Sequence, residues 1–197
     1  MSATSASVIT TVLLAPAIVL ILVRFGMFAH LHAVRRDLEP LHNTVSDLGT
    51  GTSRREFTVM GALTAVAYVL VLIATALAGV GPIWALVVGL LGVAAQVAMF
   101  FFPTDLTGTG TTTIGTLHWL FAILQFAGLF LAMVNLDLGT SSLAVAVTWV
   151  VRVTFYAFLA SLVLPKLRRS VLGLTERAFL VATPLWFLTL AGLLLAA

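Results

Sequence analysis

The chain has 197 residues, 61% of them hydrophobic and only 9% charged, with a mean hydropathy of +1.16. That is too little charge for a soluble domain of this size, and the apolar residues fall in continuous runs of about twenty, the length of a membrane-crossing helix. The runs do not alternate, which argues against a β-barrel. With no cysteine there is no disulfide, thiolate nucleophile or cysteine metal site.

Six apolar spans are predicted, at residues 8–28, 54–80, 83–102, 114–135, 143–164 and from 175 to the C-terminus. The class is therefore all-α: a polytopic membrane protein forming a compact bundle of six transmembrane helices, read as a single domain over residues 1–197. Residues 1–7 carry no positive charge, and the run after them is longer than a signal-peptide core, so span 1 is expected to be retained. A connection over 29–52 follows. Ser53-Arg54-Arg55-Glu56 has the spacing of a capping box at the start of span 2. Gly79-Val80-Gly81-Pro82 is a tight turn, and the loop of residues 103–113 is rich in threonine and glycine. Pro165 ends span 5, the basic loop Lys166-Leu167-Arg168-Arg169 follows, and Thr175 is placed to cap span 6 with Glu176 in its first turn. Pro16 and Pro184 allow kinks in spans 1 and 6.

The basic residues orient the spans. Arg35, Arg36, Arg54, Arg55, Lys166, Arg168, Arg169 and Arg177 all fall on one side, and the connections on the other side contain no Lys or Arg. The positive-inside rule puts the basic side in the cytoplasm and both termini outside, in a multi-pass protein of the cell membrane. The isoelectric point of 10.2 accompanies a net charge of only +3. Because those charges flank apolar runs, membrane lipids and not nucleic acid are the expected partners.

The first loop is the most informative polar stretch. Val34, Leu38, Leu41, Val45 and Leu48 recur at helical spacing, interrupted at Pro40. This predicts a broken, partly helical amphipathic segment on the cytoplasmic membrane surface. Within it, Ser46 and Asp47 serve either as turn-forming groups, with Gly49 as a positive-φ stop, or as chemical groups. His42, Ser46, Asp47, Asp105 and His118 are the candidate catalytic residues, since the topology brings them to one membrane face. A hydrolase constellation of Ser46, His42 and Glu39 can be drawn, but it lacks a strand–turn–helix elbow and an evident oxyanion hole. His30, His32, His42, Asp47, Asp105 and His118 supply enough nitrogen and oxygen ligands for a divalent metal such as zinc, although none of the familiar ligand spacings is present. Gly108 and Gly110 have no Walker lysine near them, so a nucleotide loop is excluded.

Arg152 lies near the middle of span 5, about 18 Å from the cytoplasmic end at 1.5 Å per residue. An intramembrane charge at that depth is expensive and is expected to face the bundle interior. Gln125 and Tyr68 lie at similar depth. Arg152, Gln125 and Tyr68 are accordingly the candidate ligand-binding residues, with Arg152 as counter-charge for an anion. Arg24 is near enough to the interface to snorkel.

Four motifs occur in order: Leu41-His42-Asn43-Thr44-Val45-Ser46-Asp47-Leu48-Gly49, Phe102-Pro103-Thr104-Asp105, Gly115-Thr116-Leu117-His118, and Gly173-Leu174-Thr175-Glu176-Arg177 before a tryptophan-bearing last span. Together they resemble the six-span prokaryotic membrane family filed as domain of unknown function (DUF) 998, over nearly the whole chain. The resemblance implies a multi-pass membrane protein and no established activity. A fainter likeness to the Frag1/DRAM/Sfk1 group, through a short Ser-Asp motif after the first span, implies lipid handling.

Three functional expectations follow. The first is binding or processing of an anionic lipid or other phosphorylated amphiphile at a polar cytoplasmic-face site. The second is a non-enzymatic membrane-organising or partner-binding role, with the motifs shaping loops. The third is a small transporter, for which no internal repeat or pair of broken helices is evident.

Overall fold

The computed structural model describes the backbone of residues 3–196 and the side chains of residues 11–196. The first residues of the stretch before span 1, and the side chains up to Thr10, lie outside the described residues. Six helices follow in order: α1 (Ala3–Val34), α2 (Arg54–Leu77), α3 (Ile83–Ala98), α4 (Thr113–Asn135), α5 (Ser142–Val163) and α6 (Pro165–Ala196). Two short 3₁₀ turns, Ser46–Gly49 and Gly51–Ser53, precede α2. Five of the six helices are long and apolar enough to cross a membrane.

Helix α3 is the exception, with 16 residues. At 1.5 Å per residue it spans about 24 Å, short of the ~30 Å hydrocarbon core. The predicted run over 83–102 is completed by tight turns instead of α-helix, with Phe100, Phe101 and Phe102 donating to the carbonyls of Val97, Ala98 and Met99.

Helix α6 starts ten residues before the predicted cap at Thr175. Proline has no N–H and a fixed φ, so Pro165 is tolerated as the first residue of a helix although it cannot continue one. It therefore ends α5 and opens α6 at once, and Lys166, Arg168 and Arg169 sit exposed on the first turns of α6. Thr175 is inside the helix, where its hydroxyl bonds to the Ser161 hydroxyl of α5 at 2.6 Å. Glu176 is buried well past the first turn. The capping box at Ser53 is not formed either. Ser53 precedes α2, but its hydroxyl donates to the Leu48 carbonyl at 2.6 Å and accepts from Arg35 at 2.8 Å.

The helices pack as three sequential pairs, α1 with α2, α3 with α4 and α5 with α6, joined by α2 against α3 and α1 against α6. Small residues permit the closest approach, between α3 and α4. A Cβ on Gly128 would stand 2.9 Å from both the Val88 carbonyl oxygen and the Gly92 Cα. In a bilayer, where lipid is as apolar as the core, such backbone contact is a principal source of helix association. One apolar cluster draws on all six helices and buries Phe179, Trp186 and Phe187 fully. Val12, Ile83, Phe101, Val153 and Val163 cover the outer surface and are more than half exposed, as a lipid-facing surface requires.

The connection after α1 does not lie flat as an amphipathic helix. Of its predicted apolar stripe, Leu38, Val45 and Leu48 are buried, joining Leu31 and Met60 in a second small cluster, whereas Val34 and Leu41 are exposed. Residues 35–53 thus fold over one end of the bundle as a cap.

Candidate functional site

The cap is held by side chains from three different parts of the chain. Asp47 is completely buried. Its carboxylate accepts from the backbone N–H groups of Thr44 at 2.8 Å and Thr107 at 2.9 Å, and from the Asn43 side chain at 3.2 Å. It therefore shapes its own turn and ties it to the loop before α4. The positive-φ glycine of this turn is Gly51, at φ 63°, and not Gly49, which packs against the Phe57 ring. Arg35 completes the turn, donating to the Thr50 carbonyl at 2.7 Å and to Asp37 at 2.9 Å. That hydrogen bond from Arg35 holds the Asp37 carboxyl below its ordinary range.

Helix α6 forms the floor. Glu176 accepts from the Val45 N–H at 2.7 Å, and Arg177 donates to the carbonyls of Pro40 at 3.0 Å and Asn43 at 2.6 Å. Gly173 donates its N–H to the Leu41 carbonyl at 3.0 Å, and a Cβ there would collide with the Asn43 and Pro40 carbonyls. The motif over residues 173–177 is thus a docking strip for the cap.

The loop before α4 forms the third side. Asp105 accepts from the N–H and hydroxyl of Thr112, at 2.7 Å and 2.9 Å, and lies tightly against Gly115. Thr112 in turn caps α4 through the Gly115 N–H at 3.0 Å. His118, on the first turns of α4, faces inward. Its Nδ1 is 2.7 Å from the Phe102 carbonyl and its Nε2 is 3.1 Å from the Ser46 hydroxyl. A carbonyl can only accept, so the ring proton sits on Nδ1 and Nε2 accepts from Ser46.

Below the cap lies a cavity of about 110 Å³. Its wall combines Phe57, Met60, Phe100 and Leu129 with Ser46, Tyr68, Gln96, His118, Gln125, Glu176 and Arg24. Arg24 does not snorkel; it is 4% exposed. Its guanidinium lies over the rings of Phe28 and Phe25, and one nitrogen donates to the Leu180 carbonyl at 2.6 Å. That carbonyl is free because its helical donor would be residue 184, a proline. The other terminal nitrogen, Nη1, is buried without a hydrogen-bond partner, as is Oε1 of Gln125.

The predicted site residues therefore divide. Tyr68 and Gln125 line the cavity, but Arg152 does not join them. It is half-buried in a groove between α4 and α5, beside Asn135 and Asp137, with its guanidinium 5.4 Å from the Trp149 ring. The amphipathic Trp149 ring and the groove's polar end let it stay outside the bundle interior. Ser46 pairs with His118, whereas His42 points outward and pairs with Glu39 at 3.0 Å. The drawn Ser46, His42 and Glu39 set is thus not assembled. The metal candidates are dispersed: His30 lies by Glu56, and His32 accepts from Arg177 at 2.8 Å. Among the described residues no three His, Asp or Glu side chains converge well enough to hold a metal ion.

Three further residues line the cavity: Gln96, which the sequence reading did not name, and Arg24 and Glu176, which it placed at the interface and in the first turn of span 6. Gln96 was legible as an amide inside an apolar span; it donates to the Gly61 carbonyl at 2.8 Å. Arg24 would have been found by pairing it with the carbonyl left free by Pro184.

The fold and its capped polar cavity define a polytopic helical membrane protein with a buried cationic site. The chain belongs to the family described as a protein of unknown function, DUF998, which it matches over residues 13–193. No curated protein and no solved structure matched the chain.

Proposed function

We propose that the protein binds an anionic lipid or other phosphorylated amphiphile, with the acidic head group in the capped cavity against Arg24 and the capped end facing the cytoplasm. The observation that carries this reading is Arg24 itself, a buried cation in the cavity wall whose Nη1 has no hydrogen-bond partner. An unsatisfied buried charge is costly, and an anion would satisfy it. The volume suits a head group rather than a whole amphiphile, so the acyl chains would leave between the helices. The apolar outer surface and the apolar part of the cavity wall suit such a ligand. Asp47 and Asp105 spend their carboxylate oxygens on loop N–H and hydroxyl groups, which supports a scaffolding role for both, and on the cavity wall Arg24 and Arg54 stand against the one carboxyl group of Glu176.

The test is lipid analysis of protein extracted in mild detergent. Replacing Arg24 alone would strand the Leu180 carbonyl, so Arg24→Gln is combined with Pro184→Ala, which restores the helical donor. The native protein is expected to retain an anionic lipid, and the double variant to lose it. A charge-assisted hydrogen bond contributes about 1.5–3 kcal/mol, a tenfold or larger loss of affinity. Equal retention by both proteins, or only zwitterionic lipid in the native one, would overturn the proposal.

A further inference from the structure

We propose that Ser46 and His118 are a nucleophile–base pair that cleaves a carboxylic ester in the amphiphile held by the cavity. The substrate class rests on the cavity reading above, whereas the pair rests on its own geometry. Ser46 opens a 3₁₀ turn but its hydroxyl caps nothing; it is directed at His118 Nε2, 3.1 Å away. The Phe102 carbonyl, 2.7 Å from Nδ1, fixes the tautomer in which Nε2 accepts the serine proton. In hydrolytic triads a carboxylate has this orienting role. Here a neutral carbonyl orients the ring, so the base is positioned without the added negative charge.

The pair sits in the wall of the main cavity, and also borders a second cavity of about 20 Å³ lined by Thr44, Thr104 and Glu176. That space admits a single water molecule. Arg24 and Arg54 put positive charge on the wall of the same cavity, which favours an anionic amphiphile there. Ser46 Oγ attacks the carbonyl carbon as its proton passes to His118 Nε2. The bond between that carbon and the alcohol oxygen then breaks, and the departing oxygen takes the proton from His118. Water adds to the acyl-serine, giving a proton to His118. The Oγ–carbon bond breaks, Oγ recovers the proton, and a carboxylic acid leaves.

A fluorophosphonate probe tests the pair directly, because an activated serine displaces fluoride to form an Oγ–phosphorus bond, and the reaction needs no lipid head group. With purified full-length protein in detergent, intact mass and peptide mapping are expected to find one adduct, on Ser46. Ser46→Ala should take no label. His118→Gln, which can still donate to the Phe102 carbonyl but cannot take up a proton, should label at least tenfold more slowly while keeping the wild-type thermal transition. Absence of an adduct on folded wild-type protein, or an unchanged rate in His118→Gln, would overturn this proposal, and retained anionic lipid in the same sample would leave the cavity reading standing.

Discussion

Arg24 and Pro184 explain one another. Proline removes the helical donor to the Leu180 carbonyl, and Arg24, 156 positions away, supplies a replacement. The same economy applies to Asp47, whose two oxygens hold three donors at the centre of the cap. Asp47→Asn is isosteric but turns an N–H₂ group toward backbone N–H donors. It should cost about 1–3 kcal/mol. At about 2–4 °C per kcal/mol for a chain of this size, the thermal midpoint should fall by several degrees, measurable by differential scanning in detergent. A second consequence concerns pH. Asp37 has its folded-state carboxyl held below the ordinary range by the hydrogen bond from Arg35. Its contribution is therefore complete above the ordinary carboxylate value of about 3.9 and lost as pH falls through the lower folded value. Asp37 is exposed, so the effect is confined to the cap. Hydrogen exchange across residues 44–53, corrected for intrinsic rate, should accelerate below pH ~4 in the native protein. Asp37→Asn should lack that step. Arg35→Ala should exchange faster at every pH, having also lost its bonds to Thr50 and Ser53.

At the scale of elements, much of the helix pattern was legible, because a bilayer demands long apolar runs and proline and glycine punctuate them. The element boundaries that the sequence misplaced have local causes. Pro165 reads as a stop, yet the same missing N–H makes it a good first residue, so α6 begins where a loop was expected. The cap read as an amphipathic helix because Leu38, Val45 and Leu48 do share helical spacing. Their burial is achieved instead by turns, since Asp47 and Asn43 offer the backbone competing partners. The cap's seat on α6 depends on Gly173. Gly173→Ala should push the Asn43 and Pro40 carbonyls away and release the cap, while leaving the rest of α6 helical. Limited proteolysis is the check: cleavage within residues 35–50 should rise sharply in the variant. Unchanged protection would mean that the cap can shift to accommodate a methyl group.

At the scale of the whole molecule, the caps, loops and helix ends arrange themselves by charge. The eight Lys and Arg residues on which the proposed orientation rests cluster at the capped end. In the proposed topology α3 also crosses, and the even number of crossings returns both termini to the side that the positive-inside rule places outside the cytoplasm. A reporter active only in the cytoplasm should therefore be silent at the C-terminus and active when inserted into the exposed loop at residues 107–110. The reverse pattern would invert the proposed topology and move the cavity to the outer leaflet.

The sequence by itself determined the membrane setting, the number of helices, the family, and the polar groups worth following. These follow from composition, run length and motif order, all of which are properties of the unfolded chain. It could not determine which polar groups meet. Ser46 finds His118 rather than His42, and the intramembrane cation of the cavity is Arg24 rather than Arg152. Such pairings are set by helix rotation and by backbone donors removed at distant prolines. Only the packed structure fixes those two quantities, because side-chain hydrogen bonds act over about 3 Å while sequence spacing constrains neighbours on one helix alone.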